Sequence, residues 1–465
     1  MDFIIVLAAL AFLMFVAYRG YSVILFAPIA ALGAVLLTDP GQVAPMFTGL
    51  FMDKMVGFVK NFFPVFLLGA VFGKVIELSG FSKAIVAAVI RIIGRERAIL
   101  AIVAVCAILT YGGVSLFVVV FAVYPFAAEM FRQGDIPKRL IPGTIALGAF
   151  TFTMDSLPGT PQIQNIIPTT FFKTNIYAAQ WLGLAGAIFI LILGLSYLEW
   201  RRRQAIAAGE NYGEGHTNEP EPFEQEKLAH PFIAVLPLLI VGVANWVLTK
   251  QIPNLYGESV SIIPAIIGKV SPVVQQTKAV AAIWAVEGAL LLGIATVFVF
   301  AWKTVLGKFA EGSKSAIGGA LLATMNTASE YGFGAVIAAM PGFLVVANAL
   351  SAIPNPLVNE AITVTSLAGI TGSASGGMGI ALAAMADTFV QNAQAAGIPL
   401  EVFHRVAAMA SGGMDTLPHN GAVITLLAVT GLTHRQSYKD VFAITIIKTI
   451  AVFFVIALYY TTGLV

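Results

Sequence analysis

Apolar residues in this chain come in long unbroken runs, and polar residues fall mostly in the gaps between them. Phe3–Tyr18, Val23–Leu37, Trp181–Leu198, Pro231–Val247, Val280–Ala301 and Val441–Tyr460 are the clearest runs. Each nears or exceeds the ~17–25 residues that a helix needs to cross a bilayer. The pattern predicts an all-α polytopic membrane protein. The first run has no basic residues ahead of it and leads directly into a second, so it reads as a retained helix.

One polar stretch interrupts the pattern. Arg201–His230 holds three arginines followed by glutamates, glycines and prolines, and this composition predicts a solvated, flexible linker. The halves on either side repeat their landmarks in order. Glu77–Val86, Thr110–Val120, Gly134–Gly143 and Met154–Gln162 in the first half match Glu330–Ile337, Thr371–Leu382, Gly397–Arg405 and Met414–Ala422 in the second. The shared D-x-L-P cores begin at Asp155 and Asp415.

Those cores cannot be continuous helix. Proline removes an amide donor and clashes with the preceding turn, so each segment predicts two half-helices around an unwound centre. Glycine-rich TYGGVS and TGSASGG predict the turns of two helical hairpins. A turn at membrane depth must be buried in protein or line a wet cavity.

Composition and charge add orientation. Charged residues make up 11% of the chain and hydrophobic ones 58%, whereas soluble domains carry roughly 25% charged residues. The net charge of +2 gives no footprint for nucleic acid. Cys106 is the single cysteine, which excludes a disulfide framework and a cysteine-based metal site. Threading the chain with Arg201–Arg203 inside puts most lysines and arginines on the cytoplasmic face. Residues 98–131 must then enter and leave from inside, and residues 355–391 from outside.

The topology is an inverted repeat of about eleven spans, two re-entrant hairpins and two discontinuous helices, with both termini outside. Scaffold helices occupy 1–80 and 231–330. Transport-domain parts occupy 81–200, with a broken helix over 140–172, and 331–465, with a broken helix over 400–432. The cytoplasmic linker is 201–230.

Broken helices free backbone groups near mid-membrane, where half-helix N-termini favour anions and freed carbonyls favour cations. Candidate substrate-binding residues are Gly112, Gly113, Ser115, Ser156, Gly159, Thr160, Ser373, Ser375, Gly376, Gly377, Thr416, His419 and Asn420. Candidate proton carriers are Asp155, Asp415 and Glu330, because ionisable groups at membrane depth point to function. Asp415 ranks ahead of Asp155 because His419 is near it in sequence. The plainer alternative for both aspartates is a helix cap. Glu77 reads as an interfacial anchor and Arg405 as an ordinary interfacial arginine. No lysine or arginine is expected in the site, which favours a monocarboxylate over a multiply charged anion. Neither a cofactor nor a metal is expected.

The TYGGVSLFVVV, DSLPGTPQ, SASGGMGIAL and MDTLPHNGA segments resemble the gluconate:proton symporter family of the ion transporter superfamily, nearest its D-beta-hydroxybutyrate permease branch. The resemblance spans nearly the whole chain. It implies proton-driven uptake of a small hydroxy-monocarboxylate across a bacterial inner (plasma) membrane. Dicarboxylate transporters of that superfamily imply further a homodimeric scaffold and an elevator-like transport domain. They hold sodium at Ser-Asn-Thr hairpin tips. This chain has Tyr111-Gly112-Gly113 and Ser373-Ala374-Ser375 instead, which favours protons over sodium. An intramembrane aspartyl protease fits poorly, since Gly412-Gly413-Met414-Asp415 lacks the G-x-G-D order and prolines follow both aspartates. A channel fits less well than alternating access by duplicated broken helices.

Overall fold

The computed structural model describes residues 2–19, 21–220, 228–262, 273–345, 353–418 and 420–465. Its first-half helices are α1 (Asp2–Tyr18), α2 (Val23–Thr38), α3 (Met52–Leu78), α4 (Phe81–Ile93), α5 (Ala98–Tyr111), α6 (Leu116–Gln133), α7 (Ile141–Ala149), α8 (Phe152–Asp155), α9 (Ile163–Phe172) and α10 (Gln180–Ala207). The second half holds α11 (Pro231–Tyr256), α12 (Thr277–Ala339), α13 (Pro356–Thr371), α14 (Ala374–Ala396), α15 (Leu400–Ser411), α16 (Gly421–Thr430) and α17 (His434–Thr462). A small antiparallel pair, β1 (Ser259–Ile262) and β2 (Val273–Gln276), precedes α12.

Among the described residues, five helical stretches are long and apolar enough to cross a membrane: Pro40–Leu78, α10, α11, α12 and α17. The protein is a polytopic all-α membrane protein. α12 has 63 residues, or about 95 Å at ~1.5 Å per residue, far more than a ~30 Å hydrocarbon core. Ala301 resolves the mismatch, because its φ of −131° and ψ of 27° are not helical and divide the run. Exposed Lys303 and Lys308 follow the bend.

Polarity is distributed as lipid requires. Leu25, Ile29, Leu36, Val243, Trp246 and Val299 are exposed, whereas Asp155, Glu330, Glu360, Arg405, Asp415 and Lys448 are buried. Exposed apolar side chains lie on the surface, and these six charges sit inside.

The helices stop where the sequence forces them to. α7 ends at Ala149, one short turn follows at α8, and α9 begins only after Pro158, Gly159 and Pro161. In the second half α15 ends at Ser411, and α16 begins after Pro418 and Asn420. α5 and α6 turn at Gly113, whose φ is +95°. α13 and α14 turn at Gly372, whose φ is +64°. Around these breaks, α12 packs along α2, α3 and α11, while α10 packs on α17 and α15 packs on α9 and α13.

The linker departs from the expectation of flexibility. Arg201–Ala207 continues α10, and the chain up to residue 220 lies against both halves as a strap. Asn218 Nδ2 donates to the Val429 carbonyl and Thr217 Oγ1 to that of Gly431 at 3.0 Å. Lys138 donates to the Thr217 carbonyl at 3.1 Å and to Glu219 at 2.6 Å. Arg132 reaches Glu219 at 2.7 Å, and Arg139 and Arg201 both grip buried Asp440. Glu210 and Glu219, which read as solvating, instead neutralise basic residues at the end of α6 and just ahead of α7. Residues 221–227 of the expected linker lie outside the described residues.

Candidate functional site

The two helix breaks meet. A Cβ on Gly412, just past α15, would fall on Asp155 Oδ2 at the end of α8, so any larger residue would displace that carboxylate. Lys448, from the middle of α17, ties both breaks together. Its ammonium pairs with Asp415 and donates to the Phe150 carbonyl at 3.1 Å. Arg405 ties them a second time, donating from α15 to the carbonyls of Asp155 at 3.0 Å and Ala178 at 2.9 Å. His404 beside it bridges Thr174 at 2.6 Å and Asn165 at 3.2 Å.

These contacts correct three expectations. Arg405 is fully buried and not interfacial, because α15 runs inward from Leu400 and carries it to the break. The crossing is not free of basic side chains, since Arg405 and Lys448 both reach it. Neither aspartate is an N-cap: Asp155 closes the short helix α8, and Asp415 lies between α15 and α16 with Lys448 on its carboxylate.

The charges at the crossing are Asp155, Asp415, Arg405 and Lys448, formally balanced. Burying an unpaired ion costs several kcal/mol, so each must be matched. Asp415 has Lys448, and Arg405 has main-chain acceptors. Asp155 is the exception: Ser156 Oγ donates to its Oδ1 at 2.6 Å, but Oδ2 has no partner. Among the described residues no His, Cys, Asp and Glu group is arranged to hold a metal.

Each hairpin tip docks on the break of its own half. Tyr111 OH donates to the Pro158 carbonyl at 2.9 Å, and Gln162 Nε2 to that of Thr110 at 2.7 Å. Gly113 lies in this contact, against Pro161, whereas Gly112 faces Leu238 of α11. Gly159 has a φ of +80° and sits against Tyr177. Thr160 Oγ1 donates to the Thr153 carbonyl at 2.8 Å, which spends it on holding the loop. Ser115 opens α6 without a capping bond from its side chain.

At the second tip Asn420 does two jobs. Its Oδ1 caps α16 through Val423 N at 2.9 Å, and its Nδ2 donates to the Gly372 carbonyl at 2.7 Å. Ser373 Oγ caps α14 through Gly376 N at 3.0 Å. Ser375 meets Thr327 of α12 at 3.2 Å. A Cβ on Gly376 would fall on Glu330, whose Oε2 has no partner. Gly377 lies on the opposite side, against Ala368 of α13. Thr416 shares a 2.6 Å hydrogen bond with Thr445 of α17. His419 lies outside the described residues. Glu77 is paired with Lys74 at 2.9 Å on the surface, away from these groups.

Two cavities open elsewhere. One of about 630 Å³ lies under the strap, lined by Arg132, Asp135, Tyr212 and His216. Another of about 400 Å³ lies between α3 and the end of α9, lined by Lys54, Asn61, Thr170 and Tyr331. The candidate site is assigned to the crossing and the tips, where the buried charges and broken main chain are. Sequence reasoning missed Lys448, Arg405 and Glu360 as members of the buried set. The signal for Lys448 was present: a lone lysine within the apolar run Val441–Tyr460.

A bundle of apolar helices, two of them interrupted and crossing at buried charges, defines the class of helical membrane transporters. Two solved transporters share the fold. YdaH of Alcanivorax borkumensis aligns with a TM-score of 0.52 at 13% identity, over 91% of this chain and 90% of its own. MtrF of Neisseria gonorrhoeae, described among antimetabolite efflux pumps, aligns with a TM-score of 0.52 at 16% identity, over 90% and 84%. No family model matches the sequence. The chain belongs to the family of the uncharacterized transporter YxjC of Bacillus subtilis (strain 168), with which it is 60% identical over 474 residues, covering 100% of both.

Proposed function

We propose that this transporter is a proton-coupled symporter of a small hydroxy-monocarboxylate, such as D-3-hydroxybutyrate or gluconate, and that Asp155 carries the coupling proton. The observation that carries the reading is the buried crossing, where Asp155 Oδ2 is buried without a hydrogen-bond partner among the described residues. Lys448 occupies Asp415, so the coupling role moves from Asp415, the first choice from sequence, to Asp155. Glu330 is the second candidate, at the other tip.

The chemistry follows from charge balance. Ionised Asp155 at the crossing repels an anionic substrate, and protonation removes that repulsion, so proton and anion enter together. Arg405 and Lys448 are already engaged by protein acceptors and leave no free pair of cations for a di- or tricarboxylate. This supports a monocarboxylate. The substrate hydroxyl and carboxylate would meet the hydroxyls of Ser156, Ser375 and Thr416 and the main chain of the tips.

The gluconate:proton symporter resemblance supports the substrate class, and the clustering of breaks with α10 and α17 supports a transport domain moving as an elevator against α2, α3, α11 and α12 in a homodimer. The test is Asp155→Asn in proteoliposomes. The amide keeps shape and hydrogen bonding but cannot titrate. The variant is expected to exchange labelled hydroxy acid across the membrane and to fail to accumulate it under a pH gradient. Accumulation at the wild-type level would remove Asp155 from the coupling role.

A further inference from the structure

Glu360 is fully buried, and neither carboxylate oxygen has a hydrogen-bond partner. It lies on α13, just after the helix start that Asn355 caps through Val358 N at 3.0 Å. The hairpin packs it into an apolar seam. A Cβ on Gly377 of α14 would meet the Ala368 main chain, which sets the register of the antiparallel arms. Two turns back along α13 and two turns on along α14, Glu360 comes level with buried Met385.

Among the described residues, no charge on the surrounding helices answers it. α14 brings Asp387, which is exposed. α15 brings exposed Glu401, His404 and Arg405. The Thr365–Ala410 bond puts Arg405 near the level of Glu360, but its guanidinium turns to the Asp155 and Ala178 carbonyls. His404 is held between Thr174 and Asn165. α17 brings Lys448, which is paired with Asp415, then Tyr459 and Tyr460, whose hydroxyl binds Asn355 at 3.1 Å. α1 brings only Asp2, a like charge in its first turn. An ionised carboxylate with no donor in such a seam is too costly to persist, whereas a carboxylic acid is tolerated there.

The geometry points to Glu360 as a second proton-binding site of the transport cycle, separate from the crossing and built into the second hairpin. In the packed conformation the proton sits on one Glu360 oxygen. When the α13–α14 seam opens to water, the O–H bond breaks, the proton passes to water and the carboxylate is hydrated. No other bond changes. The inference rests on the symporter reading for its role in coupling, but the proton-binding site itself does not depend on that reading.

Two measurements separate these claims. Infrared spectra of the wild-type protein in lipid at neutral pH, minus those of Glu360→Gln, are expected to show a protonated-carboxyl band. Its absence would overturn the site. If Glu360→Gln fails to insert, the same band is sought in wild type alone as a deuterium-sensitive signal that survives in Asp155→Asn and Glu330→Gln. In proteoliposomes, the proton-to-substrate flux ratio of Glu360→Gln is expected to fall by one proton per substrate, while substrate exchange continues. An unchanged ratio in a transporting variant would overturn the coupling role. Wild-type uptake with no proton flux at all would instead sink the symporter reading and leave the infrared result to decide the site.

Discussion

Lys448 decides whether the crossing holds together, because its ammonium is bonded to both breaks. Removing one member of a buried ion pair leaves an uncompensated charge, at a cost of about 3–5 kcal/mol. Lys448→Met and Asp415→Asn are each expected to lower the unfolding temperature of the purified transporter, and the double variant to recover much of the loss. Thermal unfolding in detergent checks this, and simple addition of the two losses in the double variant would contradict it. The aspartates were legible in the sequence because the D-x-L-P core occurs twice. Lys448 was not weighed because one polar residue barely disturbs an apolar run. Arg405 was read as interfacial because sequence places it early in a segment and cannot show that α15 is only 12 residues long and buried throughout its inner turns.

The breaks and hairpin turns were legible element by element, since proline and glycine act on their immediate neighbours. The strap was not. Its composition resembles a disordered linker, and its partners lie far away in sequence, as in Asn218 to Val429 and Glu219 to Lys138. Glu219 is the strap's anchor and titrates outside the membrane. Burial works to raise its pKa, but hydrogen bonds from Lys138, Arg132 and Tyr212 outweigh burial and hold it below the ordinary carboxylate range. A depressed carboxylate contributes stability that is present above the unfolded pKa of ~4.3 and is lost as pH falls through the folded value. Amide exchange over 208–220 should therefore be much faster in Glu219→Gln than in wild type at neutral pH. The two should converge at acid pH. Equal exchange at neutral pH would show that the strap is held by its main-chain bonds alone.

At the scale of the whole molecule, the strap joins the end of α6 and the stretch just ahead of α7 in the first half to the end of α16 in the second on one face. Under the inverted threading we propose from the basic residues, that face would be cytoplasmic. In a Cys106→Ala background, a cysteine at Ala208 should label only from inside, and one at Thr462 only from outside. Labelling of both from one side would break the inverted arrangement and with it the pairing of the two hairpins on opposite faces. The general outline, a polytopic helical transporter, was legible because long apolar runs and repeated breaks are properties of the chain itself. How tightly the breaks cross was not, because it depends on glycine contacts such as Gly412 against Asp155 that no local pattern announces. The account as a whole stands on coupling. Purified protein in sealed proteoliposomes, given labelled D-3-hydroxybutyrate or gluconate, should accumulate one of them when the outside is made acidic, with no sodium present. Accumulation driven only by a sodium gradient, and indifferent to the pH gradient, would contradict it.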